Sequence, residues 1–235
     1  MYRQFLYGKI VTVGLIRVEE MMMRNIPFIA IEGPIGVGKT SLAEKISNEL
    51  NLYLLKEIVE ENPFLDKFYD NIDEWSFQTE MFFLCNRFKQ LEDIEEDYLK
   101  NRHPVVADYH IFKNLIFARR TLDKAKLDKY EQIFDILTKD LVMPNFVIYL
   151  HASLDTLLKR IEKRGREIEH NLQASYLSQL IEDYEAYMHH FEKKHPHIPV
   201  LRINGDKTDF ITHQEDLHTI YEQVKEKLKS PMKQC

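Results

Sequence analysis

The stretch Phe28-Ile29-Ala30-Ile31-Glu32-Gly33-Pro34-Ile35-Gly36-Val37-Gly38-Lys39-Thr40-Ser41 decides the fold. From Gly33 to Thr40 it fits the pattern G-x-x-x-x-G-K-S/T. Glycines there let the backbone curl until its N–H groups point at phosphate oxygens. The lysine reaches the outer phosphates, and the Thr40 hydroxyl suits Mg²⁺. Such a pattern arises by chance unless a strand precedes it and a helix follows. Both are predicted: residues 28–31 are an apolar run, and Leu42, Ala43, Ile46 and Leu50 recur at helical spacing. The helix N-terminus adds its dipole to the anion site. The reading is a nucleoside triphosphate site.

Outward from this stretch, five short apolar runs read as strands: 27–31, 52–56, 104–107, 146–150 and 199–203. Helix-length segments separate them, which predicts an α/β fold with a five-stranded parallel sheet flanked by helices. Phe77, Met81, Phe82, Leu84, Phe88, Leu91 and Ile94 make a broad apolar helical stripe, wide enough for a neighbouring helix or a second subunit. Further helices are expected over 112–122, over 130–141, and from the turn at Asn204-Gly205-Asp206 to about Lys229.

The bulk properties exclude several classes. The chain has 235 residues, room for one large domain, and carries 32 basic against 38 acidic residues. A net charge of −6 argues against non-specific nucleic-acid binding, which needs a basic face. Two cysteines, Cys85 and Cys235, offer no disulfide framework, which fits a cytoplasmic setting. No segment has the roughly 18 apolar residues of a membrane span. Residues 10–16 are apolar but short and lack a small-residue cleavage site, so no signal peptide is expected. Residues 1–25 are expected to lie outside the fold, either as an arm or because translation starts at Met21, Met22 or Met23. Residues 26–229 then form the domain, with 230–235 as a tail.

Ligands in open parallel sheets sit beyond the carboxyl ends of the strands. That rule gathers the phosphate loop, Glu57 after the second strand and Asp108 after the third. Asp108 ends Pro104-Val105-Val106-Ala107, the position of a metal-holding carboxylate, and would otherwise cap the following helix. Glu57 is a candidate for taking the proton of an acceptor hydroxyl, with Glu60 and Glu61 as rivals. Arg160 and Arg164 lie one helical turn apart, and Arg164-Gly165-Arg166 ends the segment. They read as an arginine-rich lid over transferring phosphates, or else as a solvated basic face. Gln78, among Trp75, Phe77 and Phe82, is an amide able to match a nucleobase edge, or a plain surface glutamine.

Together these residues resemble the deoxyribonucleoside kinase family, a P-loop kinase fold of three layers, from about residue 26 onward. The specific stretches are 33–41, Lys56-Glu57-Ile58-Val59-Glu60-Glu61-Asn62-Pro63, Trp75-Ser76-Phe77-Gln78, and 160–166. Segments 66–72 and 81–87 are similar to the deoxyguanosine kinase branch of Bacillus-like bacteria. The resemblance implies ATP as donor, Mg²⁺ held at Thr40 and Asp108, and the 5′-hydroxyl of a purine deoxynucleoside, deoxyguanosine above deoxyadenosine, as acceptor. It further implies a homodimer.

By position, Glu57 matches the family base, Tyr69 and Glu169 match groups on the 3′-hydroxyl, and Gln78 matches the base-reading glutamine. Arg160, Arg164 and Arg166 match the lid. The family's arginine after the third-strand acid is absent, since Asp108 is followed by Tyr109 and His110. Its duty falls to Arg87, to Arg119 or to nothing, and Arg87 is also a candidate base contact. The alternatives are a broader deoxynucleoside kinase and a nucleoside monophosphate kinase. The second would need extra arginines near the base, where this chain is acidic. A regulatory GTP switch would need Asn-Lys-x-Asp, which is missing.

Overall fold

The computed structural model describes residues 26–58, 61–166, 169 and 172–229. The expected N-terminal extension, the C-terminal tail and Glu60 lie outside the described residues. Strands β1 (Phe28–Glu32), β2 (Tyr53–Leu55), β3 (Val105–Ala107), β4 (Phe146–His151) and β5 (Val200–Asn204) form one sheet in the order β2-β3-β1-β4-β5. All pairs are parallel, with Ile29 opposite Val106 and Phe146.

β1 is buried along its whole length because helices cover both faces of the sheet. A strand covered on both faces reads as a continuous apolar run rather than an alternation. Alternate side chains still go to opposite layers. Ile29, Ile31 and Val106 join one core with α1 (Lys39–Leu50), α6 (Leu154–Arg164), α7 (Ala174–Lys194) and α8 (Gln214–Lys229). Phe28, Val105 and Ala107 join the other core with α3 (Ile72–Ile94), α4 (Lys113–Thr121) and α5 (Lys124–Thr138). The short α2 (Leu65–Asp70) packs Leu65 and Phe68 against Phe83 of α3.

Several helices differ from expectation, among them α8, which starts at Gln214 rather than at the turn over 204–206. α5 begins at Lys124 rather than at residue 130, because the Asp123 carboxylate accepts the N–H of Lys126 at 2.9 Å and caps an earlier start. α7 fills the helix-length gap between the last two strands, where the sequence reading names no particular helix. Its buried residues Leu177, Leu180, Tyr184, Met188 and Phe191 nevertheless recur at steps of three and four, the signature of one apolar face. α6 ends where the Arg164-Gly165-Arg166 segment predicts, with Gly165 in the left-handed conformation at φ 63° and its N–H on the Ile161 carbonyl.

Candidate active site

A cavity of about 1290 Å³ opens at the carboxyl ends of β1, β2 and β3. That exceeds the roughly 300–1,000 Å³ of a single small-ligand site and leaves room for two substrates. The phosphate loop forms one wall. Gly33 has φ 149°, and a Cβ there would stand 2.2 Å from the Leu150 carbonyl oxygen, so only glycine lets the loop leave β1. Gly38 caps α1 at φ 105°, also in glycine's region. Lys39 donates to the carbonyls of Gly33 at 2.8 Å and Pro34 at 3.1 Å. Burial, then the nearby Lys113 charge, lowers its ammonium to about 8. Ile35, Gly36, Val37, Thr40 and Ser41 also line the cavity.

Asp108 braces this wall to the next. It is 3% exposed. Its Oδ2 accepts the Thr40 hydroxyl and its Oδ1 accepts the Glu57 N–H, both at 2.8 Å. Burial and the neighbouring Glu57 charge raise its carboxyl. Mg²⁺ prefers hard oxygens and fills most of its shell with water and phosphate, so one hydroxyl and one carboxylate suffice. Thr40 and Asp108 fit that demand and would hold the ion.

Glu57 sits at the centre of an ion-pair cluster. Both its oxygens accept from Lys113 Nζ at 2.9 Å, and Oε1 also accepts from Arg87 Nη2. Burial would raise its carboxyl, but Lys113, Arg87 and Lys39 outweigh that and hold it far below the usual carboxylate range. A charge buried without partners costs several kcal/mol, so the cluster exists as a unit or not at all. Arg87 is locked in turn: Nη1 donates to Asn114 Oδ1 at 2.6 Å, and Asn114 donates to Tyr130 Oη at 2.9 Å.

Lys113 and Asn114 were missed in the sequence. They open α4, immediately after Asp108-Tyr109-His110-Ile111-Phe112, and nothing local marks them. Tyr109, standing where the family arginine is absent, is fully buried with its hydroxyl on Gln90 Oε1 at 2.6 Å. Arg119 pairs with Glu131 on the surface, so of the two substitutes considered only Arg87 reaches the site.

The wall formed by α3 does not bring Gln78, the expected base-reading residue, to the cavity. Gln78 is exposed and does not line the cavity. Glu80, Phe83 and Arg87 do. A helix turns about 100° per residue, so residues 78 and 80 face nearly opposite ways, while 80, 83 and 87 share a stripe. Glu80 is 2% exposed, and its Oε2 has no partner among the described residues. Burial, against Arg87 and Lys113, raises its carboxyl to about 8. The aromatic lining likewise includes Phe68, Phe83 and Phe117 but not Trp75, Phe77 or Phe82. Trp75 stacks on Phe64 at 6.0 Å, outside the cavity lining.

The structure also brings Tyr69, Glu169, Arg160, Arg164 and Arg166 to the same cavity. Arg164 donates to Glu169 Oε1. Burial, then the Glu169 charge, raises the Tyr69 phenol. Arg160 clamps the loop, donating to the Val37 carbonyl at 2.9 Å and the Gly205 carbonyl at 2.8 Å.

A phosphate loop on β1, an acid on β3 and cations aimed into a two-substrate crevice define a nucleotide-dependent phosphotransferase. The narrower class follows from relatives. Residues 29–229 match the deoxynucleoside kinase family, and the chain belongs to it. It is therefore an enzyme that phosphorylates deoxynucleosides. It is 55% identical to a deoxyguanosine kinase of Bacillus subtilis, over 87% of this chain and 99% of that protein. It is 30% identical to a deoxyadenosine/deoxycytidine kinase of the same organism, over 83% and 90%. Among solved structures, deoxyadenosine kinase from M. mycoides with bound dATP superposes with a TM-score of 0.72 at 26% identity, covering 87% of this chain and 100% of that one.

Proposed function

We propose that the chain transfers the γ-phosphoryl group of ATP to the 5′-hydroxyl of deoxyguanosine, acting on one deoxynucleoside bound between α3 and the phosphate loop. The observation that carries the guanine reading is the Glu80 carboxyl, buried on the cavity wall with one oxygen unpartnered. Guanine presents two adjacent donors, N1–H and N2–H₂, and a carboxylate accepts both side by side. Adenine offers one donor beside one acceptor, which suits an amide instead. Hydrogen bonds to the charged form favour it, so guanine would hold Glu80 ionised despite burial. The 55% identity to a deoxyguanosine kinase supports the same base.

In the proposed mechanism Glu57 faces the 5′-hydroxyl, orients it and takes its proton late. The strongly depressed carboxyl makes it a weak base, in keeping with a loose transition state that asks little of the nucleophile. Tyr69 and Glu169 would take the 3′-hydroxyl. Lys39, Arg160, Arg164 and Arg166 would neutralise the transferring phosphoryl group and exclude water as the arginine lid. Mg²⁺, when bound at Thr40 and Asp108, supplies charge to the phosphate oxygens. A cytoplasmic homodimer made of a single domain, 26–229, completes the reading. No described helix is long and apolar enough to cross a membrane.

The test is a phosphorylation panel of four deoxynucleosides and their ribose counterparts, run on wild type and Glu80→Gln. Deoxyguanosine should lead in wild type. In the variant, kcat/KM for deoxyguanosine should fall and that for deoxyadenosine should rise, changing their ratio by at least about 10²-fold. An unchanged ratio would remove Glu80 from base reading.

A further inference from the structure

Within that reading, Glu57 has two cationic partners, and they differ in freedom. Arg87 spends Nη1 on Asn114 and Nη2 on Glu57, and Asn114 is itself fixed by Tyr130. Lys113 is held only through its ammonium, with both contacts at 2.9 Å on the two Glu57 oxygens. Lysine has three donors on a flexible stem, so one donor remains for an oxygen in the cavity, which Lys113 lines. It is 4% exposed, and its charge is strong enough at Lys39 to help lower that ammonium. It pairs with Glu57 and lines the same cavity as the phosphate loop. Tyr109 is neutral and turned to Gln90, and Arg119 is on the surface, so neither supplies a charge here.

We infer that Lys113 is the mobile positive charge of the acceptor side: it aligns Glu57 for the 5′-hydroxyl and passes its charge to the phosphoryl group as the reaction proceeds. The step balances. The O5′–H proton moves to a Glu57 oxygen, the O5′–P bond forms, and the bond from γ-phosphorus to the β,γ-bridging oxygen breaks, leaving with its electron pair on ADP. Once protonated, Glu57 no longer holds the ammonium by charge. Lys113 is then released when negative charge gathers at the phosphoryl oxygens, where an ammonium is worth most. Arg87, fixed at both ends, keeps Glu57 in place throughout.

The inference rests on Glu57 facing the acceptor hydroxyl, and its test separates the two. Lys113→Met and Lys113→Arg are assayed on whichever deoxynucleoside wild type prefers, so a wrong base assignment leaves the outcome readable. Lys113→Met should lower kcat about 10²-fold with the KM for ATP within about threefold. Lys113→Arg should restore most of kcat. If Lys113→Met does not fold, Lys113→Gln, which keeps a donor without the charge, carries the same expectation. A kcat within threefold of wild type, or a lower kcat that arginine does not rescue or that comes with a KM for ATP raised in proportion, overturns the inference. Loss of all turnover in Glu57→Ala together with full turnover in Lys113→Met would leave the Glu57 reading standing alone.

Discussion

The backbone N–H of Glu57 donates to Asp108 Oδ1 at 2.8 Å, so the end of β2 is pinned to the end of β3 by the same carboxylate that accepts the Thr40 hydroxyl. One side chain fixes the spacing between Glu57 and the phosphate loop. In the proposed mechanism the donor and acceptor halves are thereby aligned by strands rather than by loops, and alignment is what an in-line transfer requires.

Asp108→Asn should separate bracing from charge. The amide oxygen still accepts from Glu57 and its nitrogen still reaches Thr40, so the fold and the melting temperature should change little. The lost charge should lower kcat about 10²-fold and raise the Mg²⁺ concentration for half-maximal rate at least about tenfold. A titration of rate against Mg²⁺ checks this. An unchanged midpoint would leave Asp108 as a brace only.

Glu57→Gln should lower kcat by about 10²- to 10³-fold with little change in the KM for ATP. It also leaves Lys113 and Arg87 facing a neutral group. Removing one partner of a buried pair costs about 3–5 kcal/mol, so melting should fall by roughly 10 °C or more while staying cooperative. The sign with pH is fixed by the depressed carboxyl. Its stabilisation is complete above the unfolded value near 4.5 and is lost as pH falls toward the folded value. Wild type should therefore lose stability on acidification below that point more steeply than Glu57→Gln does. Parallel melting curves from pH 6 to 3 would contradict the cluster.

Gln78→Ala should be close to silent. The side chain is exposed on the far face of α3, so kcat/KM for each deoxynucleoside should stay within about twofold and stability within about 0.5 kcal/mol. A selective loss on one base would restore the assignment that the sequence suggests.

Glu80 should make both stability and selectivity depend on pH. Its folded carboxyl lies at about 8, above the unfolded 4.5, so the folded chain holds a proton that the unfolded chain has released. Without substrate, stability from this group is present below 4.5 and falls as pH rises toward 8. Glu80→Gln should gain several °C over wild type at pH 8.5 and nothing at pH 4.5, at roughly 2–4 °C per kcal/mol for a chain of this size. Discrimination of deoxyguanosine over deoxyadenosine should widen between pH 6 and 8.5, because the protonated carboxyl pairs like an amide and the ionised one does not.

What could be read from the chain alone was local. The phosphate loop is contiguous, and with the apolar run before it and the helical spacing after it, residues 33–41 point to a triphosphate site without any long-range contact. Buried parallel strands are plain apolar runs, and Asp108 and Glu57 follow directly from strand ends. The choice between Gln78 and Glu80 was not local. Both lie two residues apart on one helix, and only packing of Leu84, Leu91 and Ile94 into the core sets which of them faces the cavity. Lys113 lies 56 residues from Glu57 and meets it only because β3 inserts between β1 and β2 and feeds α4 beside it. The sequence by itself determined the phosphate loop and the carboxylates that follow the strand ends. Tertiary structure decided which side chains of α3 line the cavity and which cation pairs with Glu57, because a helix's rotation and a crossover's landing point are settled by the core and not by the residues concerned.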